Sequence, residues 1–388
     1  MGETLLISNV TIADSENASI FGDIYIEDGK IKEVSASIKR EADNQLDATG
    51  KDWIIVPGFI DIHIHGSSGF DAMDATPQAL DGLASALPRE GTTSFLATTM
   101  TQSDEAISTA LHNASLFNAD KKQAEMLGVH LEGPFISPKR AGAQPIEHIL
   151  LPSTSLFKKW QGLSGNRIKI VTVAPEMDNA LAFIEELSED GVIASLGHTD
   201  ATSEVVRKAV KAGASHVTHL YNQMSPFHHR EPGAIGAAFL EDCLTVELIV
   251  DLIHSHPKSI ELVFRQKNAS RIILITDAIR AKGLAPGSYD LGGQDVEVSH
   301  TDARLHDGTL AGSILTMETA VKNMRAVTNC TLSELVAMTS ANAAAQLGLS
   351  NKGKIESGRD ADLTIIDKDW NVQMTICRGT IAYKKEDI

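Results

Sequence analysis

An eight-stranded α/β barrel carrying a small β-sandwich-like domain formed by both chain ends is the fold class this sequence predicts. Three observations predict it. The chain has 388 residues, long enough for one such barrel plus an appendage. Its middle alternates short, apolar, β-rich runs with longer helical stretches, the pattern of βα units around a parallel sheet. Its two ends instead alternate short strands with turn signals, as small sheets do.

The elements follow in order. Runs at 5–7, 10–12, 23–27 and 30–34, with Glu27-Asp28-Gly29-Lys30 as a turn, predict a small antiparallel sheet at the start. Barrel strands are predicted at 58–65, 92–98, 127–132, 168–174, 192–198, 216–219, 245–251 and 271–277, with helices at 77–90, 103–121, 179–189, 202–212 and 257–266. Gly91, Gly191 and Gly213 each stand between a helix and the next strand, where a left-handed C-terminal cap suits glycine. Near the end, Gly358-Arg359-Asp360-Ala361-Asp362 turns into a strand at 363–367, and 372–384 holds two more. The expected division is therefore 1–56 plus 352–388 for the β domain and 57–351 for the barrel.

Composition excludes several classes. The 34 Lys+Arg against 51 Asp+Glu give a net charge of −17, which repels phosphate backbones and anionic headgroups, so no nucleic-acid or membrane-surface partner is expected. Cys243, Cys330 and Cys377 are odd in number and far apart, so neither a disulfide framework nor a zinc knuckle is indicated and a cytoplasmic location is expected. The start, Met1-Gly2-Glu3-Thr4-Leu5-Leu6-Ile7, lacks a basic segment before a long apolar one, and apolar runs stay short of membrane-spanning length.

Five of the strand segments end in residues that bind metals: His63 and His65, then Glu132, His198, His219 and Asp277. Catalytic metals need ligands converging from separate strands with a position left open, and barrels of this kind carry catalytic groups at the C-terminal strand ends. Because side chains alternate along a strand, His63 and His65 share a face. Glu132 closes an apolar run just before Gly133-Pro134, where an unpaired buried carboxylate would be costly and a metal would compensate it. The pattern predicts a metal-dependent hydrolase. His130 lies deeper on the Glu132 face and reads as a packed interior group; His216 has the opposite parity to His219, and Met224 and Met317 read as pocket-wall or core fillers.

These residues resemble the amidohydrolase superfamily, whose end signatures are also similar to 56–61 and 358–363 of this chain. Within it, the segments His130-Leu131-Glu132-Gly133-Pro134-Phe135, Gly197-His198-Thr199, Thr218-His219-Leu220-Tyr221-Asn222-Gln223-Met224, Arg230-Glu231-Pro232-Gly233, Thr276-Asp277-Ala278 and Leu310-Ala311-Gly312-Ser313 resemble the N-acetylglucosamine-6-phosphate deacetylase family over nearly the whole length.

The resemblance implies hydrolysis of a phosphorylated N-acetyl amino sugar to the free amine and acetate, in amino-sugar catabolism and cell-wall sugar recycling. It implies a principal divalent metal (zinc, iron or manganese) on Glu132, His198 and His219, a second on His63 and His65 or none, and Asp277 as the catalytic base. The only lysine of the fourth strand, Lys169, lies at the strand's start, so a bridging role falls to Glu132 rather than to a carboxylated lysine. His254, Arg230 and the backbone N–H groups of Asn222 and Gln223 are implied at the phosphate, with Arg230 arriving from a second subunit of a homodimer. Ala143, Gln144, Leu310, Ala311 and Gly312 are implied near the sugar or acetyl group. One departure stands out: the family's usual histidine twelve residues after the glutamate is Gln144 here, which donates a hydrogen bond but cannot become a cation. Another amidohydrolase, acting on N-acyl amino acids or cyclic amides, and a barrel without catalysis are the alternatives; the complete ligand set argues against the second.

Overall fold

Eight parallel strands follow one another around the molecule in chain order: Phe59–Ile64, Thr92–Thr99, Glu125–Glu132, Ile168–Val173, Ile193–Leu196, His216–Val217, Thr245–Ile249 and Ile272–Ile275. In this computed structural model, residues 3–16 and 19–386 are described; Met1 and Gly2, on which part of the N-terminal reading rests, and the last two residues of the expected β domain lie outside the described residues. The ring closes at its mouth, where the Asp277 N–H donates to the His63 carbonyl (2.8 Å) and the His65 N–H to the Ala278 carbonyl (2.9 Å).

Alternation along the strands sorts two environments. Ile60, Ile62, Val129, Leu131 and Val171 join the apolar cluster shared with the surrounding helices. The residues between them meet across the lumen, which is polar: His130 Nε2 lies 2.8 Å from Thr172 Oγ1, and Thr172 Oγ1 lies 2.9 Å from Thr218 Oγ1. The helices start where their sequence provides a cap, with Thr76, Ser103, Ser153, Thr202 and Thr316 side chains each accepting a backbone N–H. Gly91 has φ +86°, and a Cβ there would meet the Phe59 ring at 2.7 Å, so both conformation and space require glycine. Gly191 and Gly213 are left-handed too, as expected.

Both chain ends build one further sheet, as the sequence predicts. Its order is Thr380–Lys384, Val372–Cys377, Leu363–Ile366, Ile54–Pro57, Thr4–Ile12, Ile20–Glu27 and Lys30–Ser35, with Asn44–Asp47 beside Thr4–Ile12. The expected antiparallel arrangement is corrected in one respect: Thr4–Ile12 pairs parallel with Asn44–Asp47 and Ile54–Pro57. Asn44–Asp47 is largely exposed and carries no apolar alternation, so nothing in its pattern announced a strand. A second correction falls inside the stretch expected to be plain barrel. Gly287–Leu291, Gln294–Val298 and Ala303–Arg304 form a three-stranded antiparallel sheet after the last barrel strand, packed through Leu291 and Val296 onto Met100 and Ile279.

One buried ionic cluster ties the terminal sheet to the barrel. Lys352, 3% exposed, places Nζ 2.7 Å from Glu125 at the base of the third barrel strand, 2.5 Å from Asp362 and 3.3 Å from Asp360. Burial works against the ammonium, but Asp362 and Glu125 outweigh it and push its pKa upward. A raised lysine pKa means stability that is present below the ordinary lysine pKa and is lost as pH rises through the raised one. Lys352→Met, which strands these carboxylates, is expected to cost about 3–5 kcal/mol; denaturant unfolding at pH 7 checks it, and a loss within experimental error would show that the carboxylates are satisfied without the lysine.

Candidate active site

Glu132 is the hub on which the predicted ligands converge. Its Oε1 lies 3.0 Å from His219 Nε2, 3.3 Å from His198 Nε2 and 3.4 Å from His63 Nε2; its Oε2 lies 3.3 Å from His65 Nε2. Asp277 Oδ1 is 3.4 Å from His63 Nε2 and 3.3 Å from His65 Nε2. Two adjoining donor groups result, Glu132–His198–His219 and His63–His65–Asp277, the ligand atoms of each lying within 4.8 Å of one another. His198, His219 and Asp277 adopt left-handed backbone (φ +45°, +28° and +49°) immediately beyond their strands. That conformation is costly for residues with a Cβ and is characteristically retained at functional sites.

The chemistry of this donor set fits a metal. His198 Nδ1 lies 2.8 Å from the Arg140 carbonyl, so it donates there and leaves Nε2 with a lone pair, which faces His219 Nε2 at 3.1 Å. The buried His63 Nε2 has no hydrogen-bond partner. Burial disfavours a charged His63, yet Glu247, Glu132 and Asp277 outweigh it and push its pKa well up; hydrogen bonds to Asp277 and Glu132 take His65 to about 10 against the same burial. Burial likewise opposes ionisation of Glu132 and Asp277, and His63 leads the groups that hold both below the usual carboxylate range. The cluster thus demands positive charge, which either protons or a divalent cation supplies. His63 and His65, protonated at neutral pH, must lose those protons to ligate, so zinc uptake by metal-free protein is expected to release protons and to tighten as pH rises from 6 to 8; calorimetry in buffers of different ionisation enthalpy reads the release, and pH-independent uptake would contradict it.

The cluster floors a cavity of ≈ 380 Å³, and the predicted Ala143, Gln144, Asn222, Gln223, His254, Leu310 and Gly312 line it. Several details differ from expectation. Gln144 is engaged with the cluster: its Nε2 donates to Glu132 Oε2 (2.8 Å) and its Oε1 accepts the Thr101 N–H (2.7 Å). The Asn222 backbone N–H, expected at the phosphate, donates instead to the His219 carbonyl (3.0 Å) in the turn after the ligand. Ala311 lies fully buried behind the wall, its N–H donating to Ala303 in the added sheet. Arg230 is exposed and outside the lining, its guanidinium 2.8 Å from His229 Nε2. His254 Nδ1 is held 2.6 Å from Asp251.

Two residues were missed. Arg304, on the added sheet, is the one Lys or Arg that lines the cavity among the described residues. Glu247, fully buried on the seventh barrel strand, lies 2.9 Å from His63 Nδ1. The signal that singled out Glu132, a carboxylate inside an apolar strand, was present in Thr245–Ile249 as well. His130 and Lys169 behave as read: the first is packed in the lumen against Thr172, the second is exposed at its strand's start.

Residues 54–382 match the profile of the Amidohydrolase family. The chain belongs to the amidohydrolase family. Metal dependence, a property of that family, agrees with the donor groups. This amidohydrolase is 52% identical over 388 residues to the N-acetylglucosamine-6-phosphate deacetylase of Bacillus subtilis (strain 168), with 99% of this chain and 98% of that one covered. The solved N-acetylglucosamine-6-phosphate deacetylase of Thermotoga maritima matches with a TM-score of 0.88 at 37% identity, covering 98% of this chain and all of that one. A substituted form of the Mycobacterium smegmatis enzyme, solved in complex with N-acetyl-D-glucosamine-6-phosphate, matches with a TM-score of 0.91 at 30% identity over 99% of this chain and 100% of that one. No helix among the described residues of the amidohydrolase is long and apolar enough to cross a membrane.

Proposed function

We propose that this amidohydrolase removes the acetyl group of N-acetylglucosamine 6-phosphate, releasing glucosamine 6-phosphate and acetate. The observation that carries the reading is the convergence of Glu132, His198, His219, His65 and Asp277 at the floor of one cavity, with His63 buried against them; the likeness to a protein solved with that sugar phosphate supports the substrate. Glu132, His198 and His219 hold the principal divalent cation, zinc, iron or manganese, and His63 and His65 with Asp277 can hold a second. Such a cation polarises an amide carbonyl and brings the acidity of water toward neutrality.

The chain's own residues do the proton work. Asp277, kept ionised by the facing His63 and His65, takes a proton from the attacking water as its oxygen bonds to the acetyl carbon. The same carboxyl then delivers that proton to the sugar nitrogen as the C–N bond breaks, since an amide anion is a very poor leaving group. Gln144 holds Glu132 in place. His254, oriented by Asp251, and Arg304 face the phosphate end of the substrate, joined by Arg230 from the second subunit of a homodimer. Three free cysteines suit the reducing cytoplasm, and breakdown and recycling of amino sugars is the fitting context.

Acetate release by metal-reconstituted protein tests this, with N-acetylglucosamine and an N-acetyl amino acid run in parallel. Turnover of the phosphorylated sugar far above both is expected; turnover of the amino acid alone would move the protein to another amidohydrolase activity. Arg230→Ala and Arg304→Ala are each expected to raise KM for the phosphorylated sugar by about 10–100-fold, the loss of one charge-assisted contact, with the unphosphorylated sugar unaffected. Equal effects on both sugars would remove the residue from the phosphate.

A further inference from the structure

We infer that Glu247 is a positioning residue, holding His63 in the tautomer whose Nε2 lone pair faces the metal cluster and joining the two donor groups into one unit. Glu247 lies on the seventh barrel strand and is inaccessible to solvent. Its Oε2 is 2.9 Å from His63 Nδ1 and also accepts the His219 backbone N–H at 3.1 Å. Its Oε1 is 3.2 Å from His216 Nε2. A carboxylate only accepts, so the His63 proton belongs on Nδ1 and the ring's free face is Nε2. That atom is the one 3.4 Å from both Glu132 and Asp277 and otherwise without a partner. An acceptor on the far nitrogen fixes both ring orientation and tautomer and makes the near nitrogen more basic. One oxygen therefore sets a residue from each donor group, His63 directly and the turn carrying His219 through its backbone.

The inference rests on the reading of the cluster as a metal site, and the test separates the two. Full-length metal-free protein is titrated with zinc alone, reading affinity by calorimetry and, once zinc is bound and the ring has given up its extra proton, the His63 ring nitrogens by ¹⁵N NMR. Glu247→Gln keeps an oxygen where Oε2 stands and loses the charge and the Oε1 acceptor facing His216; Glu247→Asp keeps the charge but withdraws the acceptor by one methylene. A positioning role predicts that the Gln form stays within about tenfold of wild type and the Asp and Ala forms lose about 10–100-fold in zinc affinity. It also predicts an Nδ1–H His63 in wild type and Gln that becomes a tautomer mixture in Asp or Ala. In a His63→Gln background, Glu247→Asp should add only the smaller loss that comes through the His219 backbone N–H. A Gln form as weak as Ala beside an unaffected Asp form would make charge the cause and overturn the inference, as would a full additional loss without His63. Wild-type protein that takes up no zinc would sink the metal reading itself, whereas normal uptake by wild type and every variant would sink this inference alone.

Discussion

Asp277→Asn is expected to lower kcat for acetate release by about 10⁴-fold, the upper end of what a positioned proton carrier contributes, while zinc stays bound on Glu132, His198 and His219. The substitution keeps the size of the side chain and an oxygen acceptor, so the packing around it has no reason to change. The Asp277 N–H still bonds the His63 carbonyl, and its own carbonyl still accepts the Ser313 N–H at 2.8 Å, so the left-handed turn is retained. What is lost is a group that can take a proton at neutral pH. Asp277 belongs to the His63–His65 donor group and not to the other, so the loss of metal should be confined to the second position. Metal analysis beside steady-state kinetics checks both halves. A variant retaining activity within about tenfold would mean that another base serves, and one that loses all its metal would make Asp277 a ligand first.

Most of the candidate site could be read from the chain because each candidate ligand sits where an apolar strand stops. A charged or imidazole side chain at the end of Leu127-Gly128-Val129-His130-Leu131-Glu132 stands out against its neighbours, and five repetitions of that event specify both the barrel and its mouth. The lumen was less legible. Glu247 reaches His63 across 184 residues of sequence and His216 across 31, and no local periodicity records which inward side chains face each other across a ring of eight strands. His216 was set aside on parity against His219, but His219 lies past the strand end in left-handed backbone, where strand alternation no longer applies. The added sheet at 287–304 escaped because its strands are only two to five residues long; Arg304 was hidden with it. Arg230 was legible as part of a motif but not as a place: it is exposed and outside the lining of the cavity.

Glu132→Gln is expected to lose metal altogether, with zinc affinity falling by more than the roughly 100-fold typical of a residue that only supports a ligand, and turnover vanishing with it. Glu132 is the group shared by all four histidines of the cluster: their Nε2 atoms lie within 3.4 Å of its two oxygens. Removing its charge puts an amide NH₂, a hydrogen-bond donor that cannot ligate a cation, where a carboxylate oxygen stood. The metal-free fold tolerates this better than the holo state does, because cation binding is favoured by exactly the negative charge that is lost. Added zinc should therefore raise the melting temperature of wild type, as any ligand specific to the native state does, and leave that of Glu132→Gln unmoved. Gln144→Ala is the informative companion. It removes the 2.8 Å bond that orients Glu132 without touching the charge, so its loss in zinc affinity should stay within about 10–100-fold. If both variants fell equally, orientation rather than charge would account for Glu132. If Glu132→Gln still responded to zinc like wild type, the cation would have to sit on His63, His65 and Asp277 alone, and the principal position would need to be reassigned.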